Sequence, residues 1–328
     1  MSEIDKNLLQ KYKGCLVGAA VGDALGMQVE GLTRSEIKQL RGTQRVMDYG
    51  RAPPGHPNHK LLPGQYTDDT EQMILLAESI IEAWGFDLQV FSDKLREWGE
   101  KLLAKPELNR LVGPTSIQAI KNLLNGANWQ ESGIPVNSCG SAMRAAPIGL
   151  SSRDPSEVAH NAQLSSCPTH TGSGSIAGAI AIATAVYLSL KNTPAEEMLR
   201  KIIGMVAGVD KTLTNRIKEI LHTNSAIEEF FPGEGVSNSV YETVPAALLC
   251  TTKYRSFEEA VITAANIGGD TDSVACMTGA IKGARHGINA IPRRWITGLE
   301  RTEYIEALAL QLFNMPERYM KSQNMLRN

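Results

Sequence analysis

Two short acidic clusters hold the residues of this chain best suited to chemistry. They are Thr67-Asp68-Asp69-Thr70, in the stretch GQYTDDTEQM, and Asp270-Thr271-Asp272-Ser273, in the stretch NIGGDTDSVAC. Each sets carboxylates beside hydroxyls where a glycine-containing loop gives way to a helical pattern. Folded onto one another, they would supply an all-oxygen cage with no His or Cys in it. That ligand set suits Mg²⁺ or Mn²⁺ rather than Zn²⁺. Two ions sharing such a cage can orient and activate a water for hydrolysis.

Helix capping is the plainer reading of either cluster alone. Asp and Thr at a helix start satisfy free N–H groups and complement the macrodipole, worth about 1 kcal/mol. One Asp would meet that need, whereas two adjacent Asp residues crowd negative charge that capping does not require. The second cluster tips the balance. It also stands at a helix start, behind the paired glycines Gly268 and Gly269, which permit tight backbone geometry or close approach to a ligand.

Glycine-rich segments offer a place for something anionic. Asn137-Ser138-Cys139-Gly140-Ser141-Ala142-Met143-Arg144 combines small residues, hydroxyls and a cation. Its backbone N–H groups could hold a diphosphate, with Arg144 either nearby or locked in a structural ion pair. An ordinary Gly/Ser turn fits the same residues. His170, ahead of Thr171-Gly172-Ser173-Gly174, either hydrogen-bonds a ribose or caps the helix behind it. Cys139 and Cys167 sit in these loops without a basic or His partner in sequence, and they are read as bystanders.

The elements that position these groups are helical nearly throughout. Asp69 to Trp84 is apolar on most sides and stops at Gly85, with Asp68 expected as N-cap and Glu71 completing a capping box. Helical spacing recurs at Leu88–Leu103, Ser116–Leu124, Ser156–Gln163, Ala195–Val206, Thr214–Leu221, Ser256–Asn266, Asp272–His286 and Thr302–Leu312. Only Arg45 to Tyr49 suggests an extended piece. Gly174 to Leu190 carries no charge, but it is Gly/Ala-rich and at the lower edge of spanning length, so a buried core helix is expected rather than a membrane span. Two Pro/Gly-dense stretches, Tyr49 to Gln65 and Phe230 to Ser239, read as loops, the first adjacent to the active site. No low-complexity linker divides the 328 residues, and a single all-α domain over 1–328 is expected.

Bulk composition narrows the function classes. The chain is 42% hydrophobic and 21% charged with a net charge of −2, its Lys and Arg scattered. Nucleic-acid binding leaves a basic footprint that is missing here. The five cysteines are widely spaced and never in a CxxC pair, as free thiols in a reducing, cytoplasmic compartment would be. The N-terminal MSEIDKNLLQKYKG has no apolar core and does not read as a secretory signal.

The motifs together resemble the ADP-ribosylglycohydrolase family, which includes dinitrogenase reductase-activating glycohydrolase and the ADP-ribosylarginine and ADP-ribosylserine hydrolases. The resemblance covers nearly the full length. It runs through GCLVGAAVGDALGMQVE (Gly14–Glu30), GQYTDDTEQM, GSAMRAAPIGL (Gly140–Leu150), THTGSGSIAGA (Thr169–Ala179) and ETVPAALLC (Glu242–Cys250). It continues through ANIGGDTDSVACMTGAIKGARHG (Ala265–Gly287) and IPRRW (Ile291–Trp295).

The resemblance implies an all-helical fold with a dinuclear Mg²⁺ or Mn²⁺ centre. It places Thr67, Asp68, Asp69, Asp270, Asp272 and Ser273 on metal-ligand positions, with Asp272 as the bridging carboxylate. It places Glu30 on a glutamate that reaches the metal site from a mobile loop. Asn137, Ser138, Gly140, Ser141, Met143, Arg144 and His170 fall in segments that line the ADP-ribose pocket, and Gly268 and Gly269 join them as candidate substrate contacts. Ser273 stands where many members have Thr, and both supply a hydroxyl. CPTHTGSGS lacks the second His or acid that many members carry after TH.

The expected reaction is metal-dependent hydrolysis of the N-glycosidic bond between ADP-ribose and a protein arginine. Asp68 or Asp69 is expected to take the water proton and Glu30 to close the site; no donor for the guanidine leaving group is identified. Alternatives are another ADP-ribose conjugate (serine-linked, O-acetyl-ADP-ribose or a small molecule), a non-catalytic ADP-ribose binder, or an immunity protein that neutralises an ADP-ribosylating toxin.

Overall fold

The computed structural model describes residues 2–40, 42 and 45–325. Its longer helices are, in chain order, α1 (Glu3–Gly26), α2 (Asp68–Ala83), α3 (Leu88–Ala104), α4 (Pro114–Leu124), α5 (Pro155–Ser166) and α6 (Ser173–Leu190). They continue as α7 (Ala195–Val206), α8 (Lys211–His222), α9 (Val240–Lys253), α10 (Phe257–Ala265), α11 (Thr271–His286) and α12 (Thr302–Met325). Short helices at Arg34–Leu40, Trp129–Ser132, Ala146–Ser151, Ile227–Phe230 and Arg293–Gly298 fill the connections. Among the described residues there is no strand, only three isolated bridges. The fold is all-α, as the periodicity predicts. The extended piece expected at Arg45–Tyr49 finds no strand partner. Instead the Asn266 side chain donates to the Val46 carbonyl and accepts its N–H.

Glycine at every fourth position makes the spine. Gly14, Gly18, Gly22 and Gly26 share one face of α1, and that face lies backbone-to-backbone on α11. A Cβ at Gly18 would come within 2.5 Å of the Gly279 carbonyl oxygen, and one at Gly22 within 1.9 Å of the Ala275 carbonyl oxygen. No larger residue fits without separating the helices. The two helices run antiparallel, since Gly14 faces Gly283 and Gly26 faces Thr271. The C-terminal end of α1 therefore meets the N-terminal end of α11, where the second acidic cluster lies.

Sequence reasoning assigned no element to α1 because each helical glycine costs about 1 kcal/mol against alanine. Close packing in the tertiary fold overrides that propensity. It missed α9 for a parallel reason: Pro245 stands inside it. The carbonyl of Tyr241 loses its helical partner there, and Arg216 Nε donates to it at 3.4 Å.

The uncharged helix α6 is long and apolar enough to span a membrane, yet 83% of that window is buried inside the protein, as a core helix is. The Lys11 ammonium donates to the Leu190 carbonyl and the Asn192 side chain, placing a cation at its C-terminus. Helix α2 differs at its start from the capping-box expectation. Thr67 is the N-cap, accepting from the Asp69 N–H, and Asp68 is the first helical residue. Glu71 faces away from the cap, accepting from Trp98 Nε1 and pairing with Arg110 at 3.5 Å.

Candidate active site

The antiparallel spine brings three carboxylates together. Past Gly26 the chain makes a single turn over Met27–Val29 and delivers Glu30 to the start of α11. Glu30, Asp270 and Asp272 each offer an oxygen, and these lie within 4.8 Å of one another. Glu30 Oε2 accepts from the N–H of Thr271 at 2.8 Å and of Asp272 at 3.4 Å. It thus caps a helix whose own N-cap residue, Asp270, makes no side-chain cap bond. The loop expected beside the site braces this turn: His56 Nε2 donates to the Glu30 carbonyl at 2.5 Å and Asn58 Nδ2 to the Met27 carbonyl.

The first cluster enters through a residue that sequence reasoning left unassigned. Asp23, in the middle of the quoted GCLVGAAVGDALGMQVE stretch, is fully buried on α1. Its Oδ1 accepts the N–H and hydroxyl of Thr67, each at 2.9 Å, and its Oδ2 accepts those of Thr70 at 3.0 and 2.6 Å. One carboxylate therefore fixes both threonines that flank Asp68 and Asp69. The available signal was an acid amid an otherwise small, apolar helical run; such a group needs partners once buried.

A cleft of about 140 Å³ lies over these groups, lined by Glu30, Asp68, Asp69, Asp270, Asp272 and Ser273. Both clusters thus face one space. Ser138, Gly140, Met143 and His170 line it as well. Its volume is below that of a pocket for a drug-sized ligand, so it suits ions and one sugar, with the remainder of a larger ligand on the rim. A larger open depression, about 630 Å³ beside Arg216 and Phe230, has its guanidinium engaged by Glu219 and the two neighbouring Phe rings.

Other expected contacts lie behind this lining. Arg144 is fully buried; it donates to Gln72 Oε1, the Ser165 carbonyl and Thr169 Oγ1, and lies over the Phe91 ring. Gln72 in turn donates Nε2 to Asp68 Oδ2 at 2.6 Å. Arg144 is therefore a positioning residue: holding the amide oxygen of Gln72 leaves its NH₂ for Asp68. Ser141 donates to the Ser175 carbonyl, and the Asn137 side chain accepts from the Gly174 N–H. Gly268 and Gly269, both at positive φ, form a backbone turn bonded to Val236 and Leu32. Thr67, engaged by Asp23, is also outside the lining.

Sequence reasoning missed the segment Leu111 to Ser116 on the rim. It carries Leu111 in the left-handed region at φ 65° and the start of α4, whose N-cap Gly113 supplies no side-chain bond. Arg110 anchors it by pairing with Glu300 and offering its carbonyl to the Asp68 N–H. Cys139, read from sequence as a bystander, is in the cleft with its sulfur 3.0 Å from Asp270 Oδ2.

The electrostatics are one-sided. Burial, helped by the charge of Asp270 and opposed by a hydrogen bond with Glu30, drives the pKa of Asp272 up to about 7; burial and Asp272 do the same to Asp23, against the pull of its four hydrogen bonds. Glu30, Asp68 and Asp69 are pushed well above the carboxylate range by the same causes, and Asp270 is raised. Asp69 Oδ2 is buried with no hydrogen-bond partner. His170 is held neutral, its pKa depressed to about 3 by burial and by Arg144. Its ring nitrogens lie 2.8 Å from Thr169 Oγ1 and 3.1 Å from Ser138 Oγ. Glu30, Asp270 and Asp272, with oxygens within 4.8 Å of one another, form an all-oxygen donor set that fits a hard divalent ion.

Comparison with known proteins points to one family. The family model described as ADP-ribosylglycohydrolase matches residues 5–321. An uncharacterized protein of Archaeoglobus fulgidus is 40% identical over 314 residues, covering 95% of this chain and 99% of that one. The ADP-ribosylarginine hydrolase Tri1 of Serratia proteamaculans is 31% identical over 313 residues, covering 94% and 80%. The ADP-ribosylhydrolase ARH3 of Homo sapiens is 27% identical over 344 residues, covering 93% of each. Among solved structures, an ADP-ribosylglycohydrolase-related protein complex superposes with a TM-score of 0.77 at 29% identity, covering 94% of this chain and 99% of that chain.

Proposed function

This chain belongs to the ADP-ribosylglycohydrolase family, and from that premise we propose that it is a divalent-cation-dependent hydrolase that removes ADP-ribose from arginine side chains of proteins. The observation that carries the reading is the meeting of Glu30, Asp270 and Asp272 with Asp68 and Asp69 around one buried cleft. The 31% identity to an ADP-ribosylarginine hydrolase supports arginine as the acceptor.

Glu30, Asp68, Asp270, Asp272 and the Ser273 hydroxyl would hold Mg²⁺ or Mn²⁺, two ions in all. Bound there, the cations would supply Lewis-acid charge stabilisation and orient a water. Asp69 lines the cleft beside these ligands and is the carboxylate placed to take the proton from that water. Gln72, itself fixed by Arg144, holds Asp68 in one orientation. Backbone N–H groups at the uncapped start of α4, by Thr115 and Ser116, would take diphosphate oxygens. Met143 and Leu111 add apolar surface to the same lining. The free, mostly buried thiols fit a reducing compartment, the cytoplasm.

The test is turnover of arginine-linked, serine-linked and O-acetyl ADP-ribose conjugates with Mg²⁺, with Mn²⁺ and with EDTA. The arginine conjugate with either metal is expected to dominate. Undiminished turnover in EDTA would end the metal reading, and a preference for another conjugate would end the arginine assignment.

A further inference from the structure

We propose that Thr169, buried behind the cleft, sets the tautomer of His170 and through it holds the Ser138 hydroxyl as a hydrogen-bond donor to the ligand. The inference deepens the reading above, which supplies that ligand: ADP-ribose, rich in acceptor oxygens. Thr169 and His170 are positioning residues here, and Ser138 is the group that touches substrate. A buried hydroxyl has one proton to place. Thr169 and His170 are 0% and 1% exposed. Arg144 donates to Thr169 Oγ1 at 2.7 Å and fills one lone pair. The Thr169 proton then has two acceptors in reach, His170 Nδ1 at 2.8 Å and the Ser166 carbonyl at 3.5 Å. That carbonyl already accepts the His170 N–H at 2.8 Å and the Thr169 N–H at 3.1 Å, which occupies both its lone pairs.

The Thr169 hydroxyl therefore donates to Nδ1, and the ring carries its own proton on Nε2. From there Nε2–H donates to Ser138 Oγ at 3.1 Å. Among the described residues the Ser138 proton meets no other acceptor, so it is left for the cleft that Ser138 lines. Two features hold the relay in place. The ring fills the space that a side chain at Gly140 would take, since a Cβ there would lie 2.7 Å from His170 Nε2. The backbone on either side is pinned to Ile134, whose N–H donates to the Thr169 carbonyl and whose carbonyl accepts the Thr171 N–H. Burial and Arg144 depress the His170 pKa to about 3, so the ring stays neutral and the direction of the relay does not reverse near neutral pH.

The experiment is two-bond proton–nitrogen NMR of the full chain, with the His170 ring assigned through its own backbone resonances. A pyrrole-like Nε2 and a pyridine-like Nδ1 are expected from about pH 5 to about pH 8. The reverse pattern in the wild type overturns the proposal, with no variant needed. Thr169→Val is expected to mix the two tautomers and Thr169→Ser to keep the one. A folded Thr169→Val protein with the wild-type pattern overturns the role of Thr169. Calorimetry with ADP-ribose reads the other end of the relay. Affinity is expected to fall by about three- to tenfold in Ser138→Ala and in Thr169→Val, and no further in the two together, since both remove the same hydrogen bond. Unchanged affinity in Ser138→Ala, or losses that add, overturns the donor role. A wild type that does not bind ADP-ribose would sink the hydrolase reading instead, and the NMR decides the tautomer in either case.

Discussion

The carboxylate of Asp23 and the hydroxyl of Thr70 meet at 2.6 Å in the protein interior, and the same oxygen takes the Thr70 N–H. With Thr67 on its other oxygen, Asp23 ties α1 to the first turn of α2. Asp23→Asn replaces one acceptor oxygen by an NH₂ that faces two donors. The expected loss is about 2–4 kcal/mol of stability, the cost of unpaired buried groups. Mn²⁺ affinity should fall with it, since Asp68 and Asp69 lose their anchor. Calorimetric unfolding and metal titration read both; wild-type Mn²⁺ binding in a folded Asp23→Asn protein would refute the anchoring role.

Arg144 is expected to act through Gln72 rather than on substrate. Arg144→Met leaves the Gln72 oxygen, the Ser165 carbonyl and Thr169 short of donors, at a cost of about 3–5 kcal/mol. Protein that survives should show reduced kcat and little change in KM. A large rise in KM at unaltered stability would restore the direct-contact role.

The glycine spine should tolerate no side chain. Gly22→Ala places a Cβ 1.9 Å from the Ala275 carbonyl oxygen, so the helices must part, for a net cost of about 2 kcal/mol or more. Glu30 would then lose its register with Asp270 and Asp272. Gly204→Ala in α7, where a Cβ meets nothing within 4 Å, is the control and should stabilise by about 0.5–1 kcal/mol. Denaturant midpoints of the two variants decide.

The response to cations should depend on pH in one direction. Asp272 and Asp23 have folded-state pKa values raised to about 7, against about 3.9 when unfolded. Between those values the metal-free folded state holds more protons than the unfolded chain, so this contribution to stability is lost as pH rises toward 7. A divalent cation displaces those protons. The gain in Tm from Mg²⁺ over EDTA should therefore grow from about pH 5 to about pH 8. His170 and His286, depressed to about 3 and about 4, bend the metal-free curve the other way but drop out of the difference at each pH. A gain that does not change with pH would contradict the cluster's titration.

Asp272 belongs to the carboxylate trio and faces the cleft. Asp272→Asn is expected to lower hydrolysis by about 100-fold or more, since even groups behind the ligands commonly matter by 10–100-fold. EDTA treatment of the wild type should match that loss, and Mg²⁺ should restore the wild type but not the variant.

Much of the site was legible in the chain because hydroxyl-flanked carboxylates are unusual as caps. Thr67 to Thr70 and Asp270 to Ser273 could be picked out by residue type alone, as could Glu30 by resemblance. Asp23 could not be assigned a role, since a single acid in a glycine-rich run gives no sign of which donors it will meet. Arg144, Asn137 and Ser141 were named as substrate contacts but lie behind the lining, because which side chains of a turn face a cleft depends on what packs behind it. Cys139 was set aside because its partner, Asp270, is remote in sequence.

The sequence by itself determined the helical class, the positions of most long helices and the two acidic clusters, because periodicity and residue type act over a few neighbours. Tertiary structure decided that α1 and α9 are helices at all, that Glu30 caps α11, and that Cys139 lies among the carboxylates. Those outcomes depend on distances between residues far apart in the chain. Here the antiparallel approach of two glycine-faced backbones fixes the chief of them, the meeting of Glu30 with Asp270 and Asp272.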